Sequence, residues 1–247
     1  MDCDRSPIWA DVAASIEEIS RMGSTLRMPF IAAQSDLGDP KPMADQAGRP
    51  YAETTFRWVD PGYEYWRDRR LALQAPFLRA ARLTAEPFFY ADGRLSSWRA
   101  TRTLDVIDCA KVTEKTGIAA AIIAPAHLSH GIVGAVVWAA RERVAVEELF
   151  ALHGEHLHAL ALRLAASHCE ATWSPREVSG VTSLTRREVQ CVRWAAIGKT
   201  DGEIAIILSL SVSTVRFHLR NASAKLGATG RAQAIQAAAG LGFVGAH

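Results

Sequence analysis

In the last quarter of the chain, apolar positions recur at steps of three and four in short bursts, each opened or closed by a residue suited to a helix end. Thr185 followed three residues later by Glu188 is a capping box, in which each side chain can satisfy a backbone donor orphaned in the first helical turn. It predicts a helix carrying Val189, Val192, Ala196 and Ile197 on its apolar stripe and ending at Gly198, which resists the left-handed C-terminal cap least. Thr200 with Glu203 repeats the capping box and opens a second helix, with Ile204, Ala205, Ile207 and Leu208 as its expected buried face. Ser209, Leu210 and Ser211 form the turn. A third helix is predicted over 212–226, with Val215, Leu219, Ala222 and Leu226 in one stripe, and a fourth follows Thr229, capped by it or by Gly230, as far as Gly240. The second and third together read as a helix-turn-helix.

Upstream the pattern changes. Val144 to Cys169 is a long helical pattern with Leu149, Leu152, Leu160 and Leu164 among its apolar positions. Ile118 to Ala124 and Ile132 to Ala139 are apolar runs rich in branched residues and read as a β-hairpin. Further strands are predicted at Leu26 to Ala33, Thr54 to Val59 and Pro87 to Tyr90, and helices near Ile8 to Met22, Glu64 to Arg82 and Leu104 to Thr116. Helices before, between and after the strands point to an α/β sandwich, an antiparallel sheet flanked by helices. Between Glu170 and Ser183, Pro175 and Gly180 break the helical period. The expected organisation is therefore a domain over 1–169, a linker over 170–183 and an all-α four-helix domain over 184–247.

Charge separates the two parts. Residues 181–247 hold eight Lys and Arg against three Asp and Glu, whereas residues 1–180 hold twenty against twenty-three, so the overall +2 conceals a basic tail. Arg216 and Arg220 lie one residue beyond the third-helix stripe and one turn apart, on a solvent-facing side from which both can enter one groove. Guanidinium matches the paired acceptors of a guanine edge, and a good bidentate contact supplies roughly 1–3 kcal/mol of base discrimination. Lys199, Thr200, Ser211, Ser213, Thr214, Asn221 and Lys225 add donors suited to phosphate oxygens, which set register rather than sequence. A small bundle with an ordinary solvated basic face is the alternative. Motif, caps and charge agree on double-stranded DNA.

The segments Leu184-Thr-Arg-Arg-Glu188, Gly198-Lys-Thr, Glu203-Ile-Ala205 and Thr214-Val-Arg216 through Lys225-Leu-Gly227 resemble the C-terminal domain of LuxR-type transcription factors. The resemblance implies that Glu188, Val192 and Gly198 hold characteristic positions in the first two helices and that Arg216 and Arg220 face the bases. It further implies a homodimer on an inverted-repeat operator. In quorum-sensing members of that family an N-terminal sandwich binds an acyl-homoserine lactone through the pattern Trp-x3-Tyr-x8-Asp-Pro-x13-Trp. The best ungapped fit here places Pro on Pro76 and the last Trp on Tyr90, leaving Ala75, Trp66 and Gly62 at the Asp, Tyr and first Trp positions. A second fit uses Tyr51 and Asp60-Pro61 but puts Ala47 and Ala75 at the two Trp positions. In the family that Asp accepts the ligand amide proton, which Ala75 cannot do.

Residues 51–98 contain eleven of the nineteen aromatics. Trp58, Trp66, Phe77, Phe88, Tyr90 and Trp98 are the candidate lining of a small-molecule pocket, and the same density suits a packed interior. Three readings of the N-terminal domain follow: a sensor for an apolar signal other than the lactone, a receptor that takes a lactone through other contacts, and an orphan domain that only dimerises.

Other classes find less support. Four scattered cysteines without paired spacing, no apolar run long enough to span a bilayer and an acidic N-terminus point to a reduced, cytoplasmic chain with no membrane segment. His153, His156 and His158 lack the spacing of a metal-enzyme motif, and no nucleophile elbow, phosphate-cradling loop or carboxylate dyad stands out. The expectation is a regulator with no catalytic residues, no metal and no cofactor.

Overall fold

The computed structural model describes residues 6–60, 75–172 and 184–244, which divide into two compact units, one up to Thr172 and one from Trp173 onward apart from a three-residue turn at Ser129–Gly131. The first unit runs α1 (Ser6–Thr25), β1 (Phe30–Gln34), α2 (Tyr51–Thr54), α3 (Pro76–Leu83), β2 (Phe88–Ala91), β3 (Arg94–Ser96), α4 (Arg102–Asp105), α5 (Val112–Thr116), β4 (Ala120–His127), β5 (Val133–Ala140) and α6 (Val146–Thr172). Its five strands form one antiparallel sheet in the order β1-β5-β4-β2-β3. The two central strands are buried almost from end to end, because helices cover both sheet faces.

Strand periodicity sorts the core into two layers. Ile122, Ala124, Val136 and Trp138 point to one side and pack with Val12, Ile16 and Ile19 of α1 and with Phe150, Leu157, Leu160 and Leu164 of α6. Trp138 also donates its indole N–H to the Ile19 carbonyl at 3.1 Å, which pins α1 to the sheet. Ala121, Ile123, Ala135 and Val137 point to the other side, where they meet Phe77, Phe88, Tyr90, Leu104 and Ile118. The sandwich is thus an α/β/α arrangement around an antiparallel sheet.

Several expected elements differ. Leu26 to Phe30 is not strand throughout, because α1 continues to Thr25 and Arg27 turns the chain with φ of 58°. No strand forms over Thr54 to Val59: Pro50 starts the helical turn α2, and Phe56 and Val59 then drop into opposite core layers. The helix expected over Leu104 to Thr116 is split into α4 and α5, with Asp108 Oδ1 accepting from the Ala110 N–H in a local turn between them. Of the helix expected over Glu64 to Arg82, residues 64–74 lie outside the described residues. Ala75 is extended and Pro76 restarts the chain as α3. The short strand β3 is an addition, paired to β2 through an Asp92-Gly93 turn in which both residues have positive φ. Leu152, expected on the apolar side of α6, is 77% exposed.

The second unit is α7 (Arg186–Ala196), α8 (Asp201–Leu208), α9 (Val212–Lys225) and α10 (Arg231–Gly240). Cys191, Ala195, Ile204, Ala205 and Val215 form one core cluster, and Val192, Ala222, Ala238 and Val244 a second. Two assigned stripes shift. Ala196 and Ile197 of the first are exposed, and Cys191 and Ala195 take their places. In the second, Ile207 is half-exposed and the inward positions are Ile204, Ala205 and, in part, Leu208.

Glu188 is 3% exposed and holds this unit together. Its carboxylate accepts the Thr185 N–H at 2.7 Å and the Lys225 ammonium at 2.8 Å, tying the start of α7 to the end of α9. Burial pushes its pKa up, but the Lys225 and Thr185 donors outweigh burial and leave it below its ordinary value of 4.5. A carboxyl with a lowered folded pKa stabilises fully above about that value, and the contribution drains as pH falls through the folded pKa. Glu188→Gln should therefore cost about 2 kcal/mol of protection in amide hydrogen exchange of 186–225 in the full chain at neutral pH. The difference from the parent should shrink below about pH 4.5; a difference that is the same at pH 3.5 and pH 7 is the contrary result.

Candidate nucleic-acid interface

Three of the four helices of the second unit are started by a side chain. Thr185 and Thr200 Oγ1 each accept the backbone N–H of the glutamate three residues on, at 3.3 Å, and both capping boxes are closed reciprocally. Ser211 Oγ caps α9 by accepting the Thr214 N–H at 3.1 Å. Between α8 and α9, Ser209 adopts the left-handed conformation with φ of 54° and the Leu210 N–H returns to the Ala205 carbonyl at 2.8 Å. The two helices meet at 106°, within the range of a helix-turn-helix.

That corner presents one side of α9 to solvent. Val215 and Ala222 are fully buried, Leu219 and Leu226 pack beside them, and Ser213, Arg216, Phe217 and Arg220 are exposed on the other side. Arg216 and Arg220 line a shallow cavity of about 240 Å³ together with Asp201 and Arg231, over a floor that includes Leu219 and Ile235. Asp201, on the first turn of α8, accepts from Arg231 at 2.6 Å and from Arg216 Nε at 3.3 Å. Arg231, on the first turn of α10, also donates to the Lys199 carbonyl. Three guanidinium groups around one carboxylate leave this concave surface positive.

The remaining expected donors fall into two groups. Lys199 lies at the edge of this surface with its ammonium 3.3 Å from Glu203 Oε1, and Ser213 and Asn221 are on the outer sides of α9. Thr200, Ser211 and Thr214 use their hydroxyls within the caps: Ser211 Oγ lies 2.7 Å from both Ser213 Oγ and Thr214 Oγ1. The Lys225 ammonium is held by the buried Glu188. Asp201 and Arg231 were not singled out in the sequence. Arg231 carries a legible signal, since it sits one residue after the Gly230 that caps the fourth helix.

The aromatic candidates of the first unit do not form one lining. Phe77, Phe88 and Tyr90 are buried together, with Trp58 half-buried against them, and the Phe77 and Tyr90 rings stand 5.2 Å apart. Tyr90 also shares a 2.7 Å hydrogen bond with Thr113 Oγ1. Trp98 is 46% exposed and lies against Phe150 and Gly154 of α6, on the opposite face of the sheet, which removes it from that set. Trp66 lies outside the described residues. Of the histidine cluster, His156 Nε2 is 3.3 Å from Glu18 Oε1. Burial pushes the Cys109 thiol up to about 11, which leaves it protonated at neutral pH. Among the described residues no single helix is long and apolar enough to cross a membrane.

Two family models match this chain. One, described as bacterial regulatory proteins of the luxR family, matches residues 182–238; the other, an autoinducer binding domain, matches residues 44–167, half of the chain. The HTH-type quorum sensing-dependent transcriptional regulator VjbR of Brucella ovis is 50% identical over 70 residues, covering 28% of this chain and 27% of VjbR. The transcriptional activator protein VanR of Vibrio anguillarum is 56% identical over 61 residues, a quarter of each chain. The matched region is thus only about a quarter of the length of these curated relatives. A crystal structure of Escherichia coli SdiA aligns over 94% of this chain and 91% of its own at 20% identity, with a TM-score of 0.47. With an autoinducer-binding match across half its length and a luxR match on the helical unit that follows, the chain belongs to the LuxR-type family of bacterial regulatory proteins.

Proposed function

We propose that this protein is a sequence-specific DNA-binding transcription regulator that acts as a homodimer, with α9 entering the major groove of each half of an inverted-repeat operator. The observation that carries the reading is the exposed side of α9, where Arg216 and Arg220 stand one turn apart at a 106° helical corner. Arg216 and Arg220 read bases. Lys199, Ser213 and Asn221, with the capped helix starts at Thr200 and Ser211, meet phosphates, and Thr214 and Lys225 support the same surface from within. The N-terminal unit is the sensor of a small apolar signal, bounded by Trp58, Phe77, Phe88 and Tyr90. Ala75 favours a signal without the lactone's amide donor, because no carboxylate stands there to receive it. A dimerising domain without ligand is the second reading, favoured by the close packing of Phe88 and Tyr90, both fully buried.

Arg216→Ala or Arg220→Ala should lower operator affinity by about tenfold or more while leaving most of the salt-dependent affinity for random duplex. Equal losses on both duplexes would mean that neither arginine reads sequence. Lys199→Ala should weaken all duplexes alike and flatten the dependence of affinity on salt by about one unit. Asp201→Asn is expected to strengthen binding to random DNA by removing a negative charge, and to lower the ratio of operator to random affinity by freeing Arg216; an unchanged ratio removes Asp201 from the reading machinery. For the sensor, native mass spectrometry of protein from its own host should reveal an added small molecule. Protein that carries none and whose DNA affinity ignores host extract supports the ligand-free reading instead.

A further inference from the structure

Phe217 is 50% exposed in the middle of the side of α9 that bears the arginines. At about 3.6 residues per turn it falls nearly opposite the buried stripe of Val215, Leu219 and Ala222, four residues after Ser213 and three before Arg220. Its ring meets that of its chain neighbour His218, 5.7 Å between centroids, and belongs to neither core cluster of the helical unit. Folding gains little from a phenyl ring left half in water there, and a polar residue would serve an idle surface as well.

In the major groove the base edges are polar with one exception, the C5 methyl of thymine. A phenyl ring on the same exposed side as two guanidinium groups is matched to that methyl, the one apolar group of a base edge. Resting on the DNA-binding reading above, we infer that Phe217 is a specificity-determining residue that packs on a thymine methyl beside the guanine contacted by Arg216 or Arg220. The half-site that this chain selects therefore contains a guanine next to a required thymine.

The test begins with selection of bound duplexes from a random pool by the full-length protein. Each half-site thymine is then replaced singly by uracil, which deletes the methyl and leaves pairing and the O4 acceptor intact. The parent protein should bind one such duplex about fourfold more weakly, the effect of one apolar carbon withdrawn from contact. Phe217→Ala should bind the thymine and uracil duplexes equally, with unchanged helical content by circular dichroism, and Phe217→Leu should retain part of the preference. Parent protein that enriches a sequence but is indifferent to every uracil overturns this inference alone, as does Phe217→Ala that keeps the preference. Parent protein that enriches no sequence overturns the DNA-binding reading and this inference with it.

Discussion

One carboxylate sets the geometry on which the second unit depends. Helices of eight to fourteen residues are marginal alone, because nucleation costs more than a few backbone hydrogen bonds return. Here the orphaned donors are satisfied by side chains at three consecutive starts, and Glu188 serves twice, closing the cap of α7 and receiving Lys225 from the far end of α9. The core contributes little bulk: its fully buried members include Cys191, Val215, Ala222 and Ala238. A buried carboxylate must be fully partnered or it is a liability, so the pair with Lys225 leaves α9 little freedom relative to α7. The orientation of the exposed arginines follows from that tie.

The caps explain why the helical unit was so legible in the sequence. Thr185 with Glu188 and Thr200 with Glu203 act through neighbours three residues away, so the sequence contains both partners of each interaction. What it could not settle was which side of α8 faces inward. Ile204, Ala205, Ile206, Ile207 and Leu208 are five apolar residues in a row, and a run without polar interruptions has no period to read. Ile206 ends 82% exposed and Ile204 fully buried, a choice made by packing against Cys191 and Val215. Lys225 shows the same limit at longer range, since its partner Glu188 lies 37 residues away.

In the first unit the apolar runs of β4 and β5 were readable, whereas the aromatic segment was not. Composition groups Phe88, Phe89, Tyr90 and Trp98, but a strand sends alternate side chains to opposite faces. Phe88 and Tyr90 join the layer that includes Phe77; Phe89 and Trp98 face Phe150 on the other side. A candidate pocket drawn from aromatic density therefore mixed two layers separated by the sheet. The Asp92-Gly93 turn, a dipeptide that accommodates two positive φ values in a tight hairpin, went unread because the three-residue strand after it is too short to show alternation. Thr54 to Val59 failed for the opposite reason: β-branched and aromatic residues mimic a strand wherever a loop dips into the core.

Arg216 illustrates how weak contacts can sharpen recognition. Its guanidinium is 72% exposed and 3.3 Å from Asp201, and an exposed ion pair of that kind contributes only about 0–1 kcal/mol. A bidentate contact with guanine supplies roughly 1–3 kcal/mol of discrimination. If Arg216 reads a base as proposed, exchanging Asp201 for the correct one is favourable, whereas exchange for a base that offers one poor acceptor returns less than the pair gives up. Asp201 is also held from its other side by Arg231 at 2.6 Å, so its place does not depend on Arg216. On the proposed reading, this carboxylate supplies the reference against which the base is judged, and the negative charge it presents to phosphates is the cost of that selectivity.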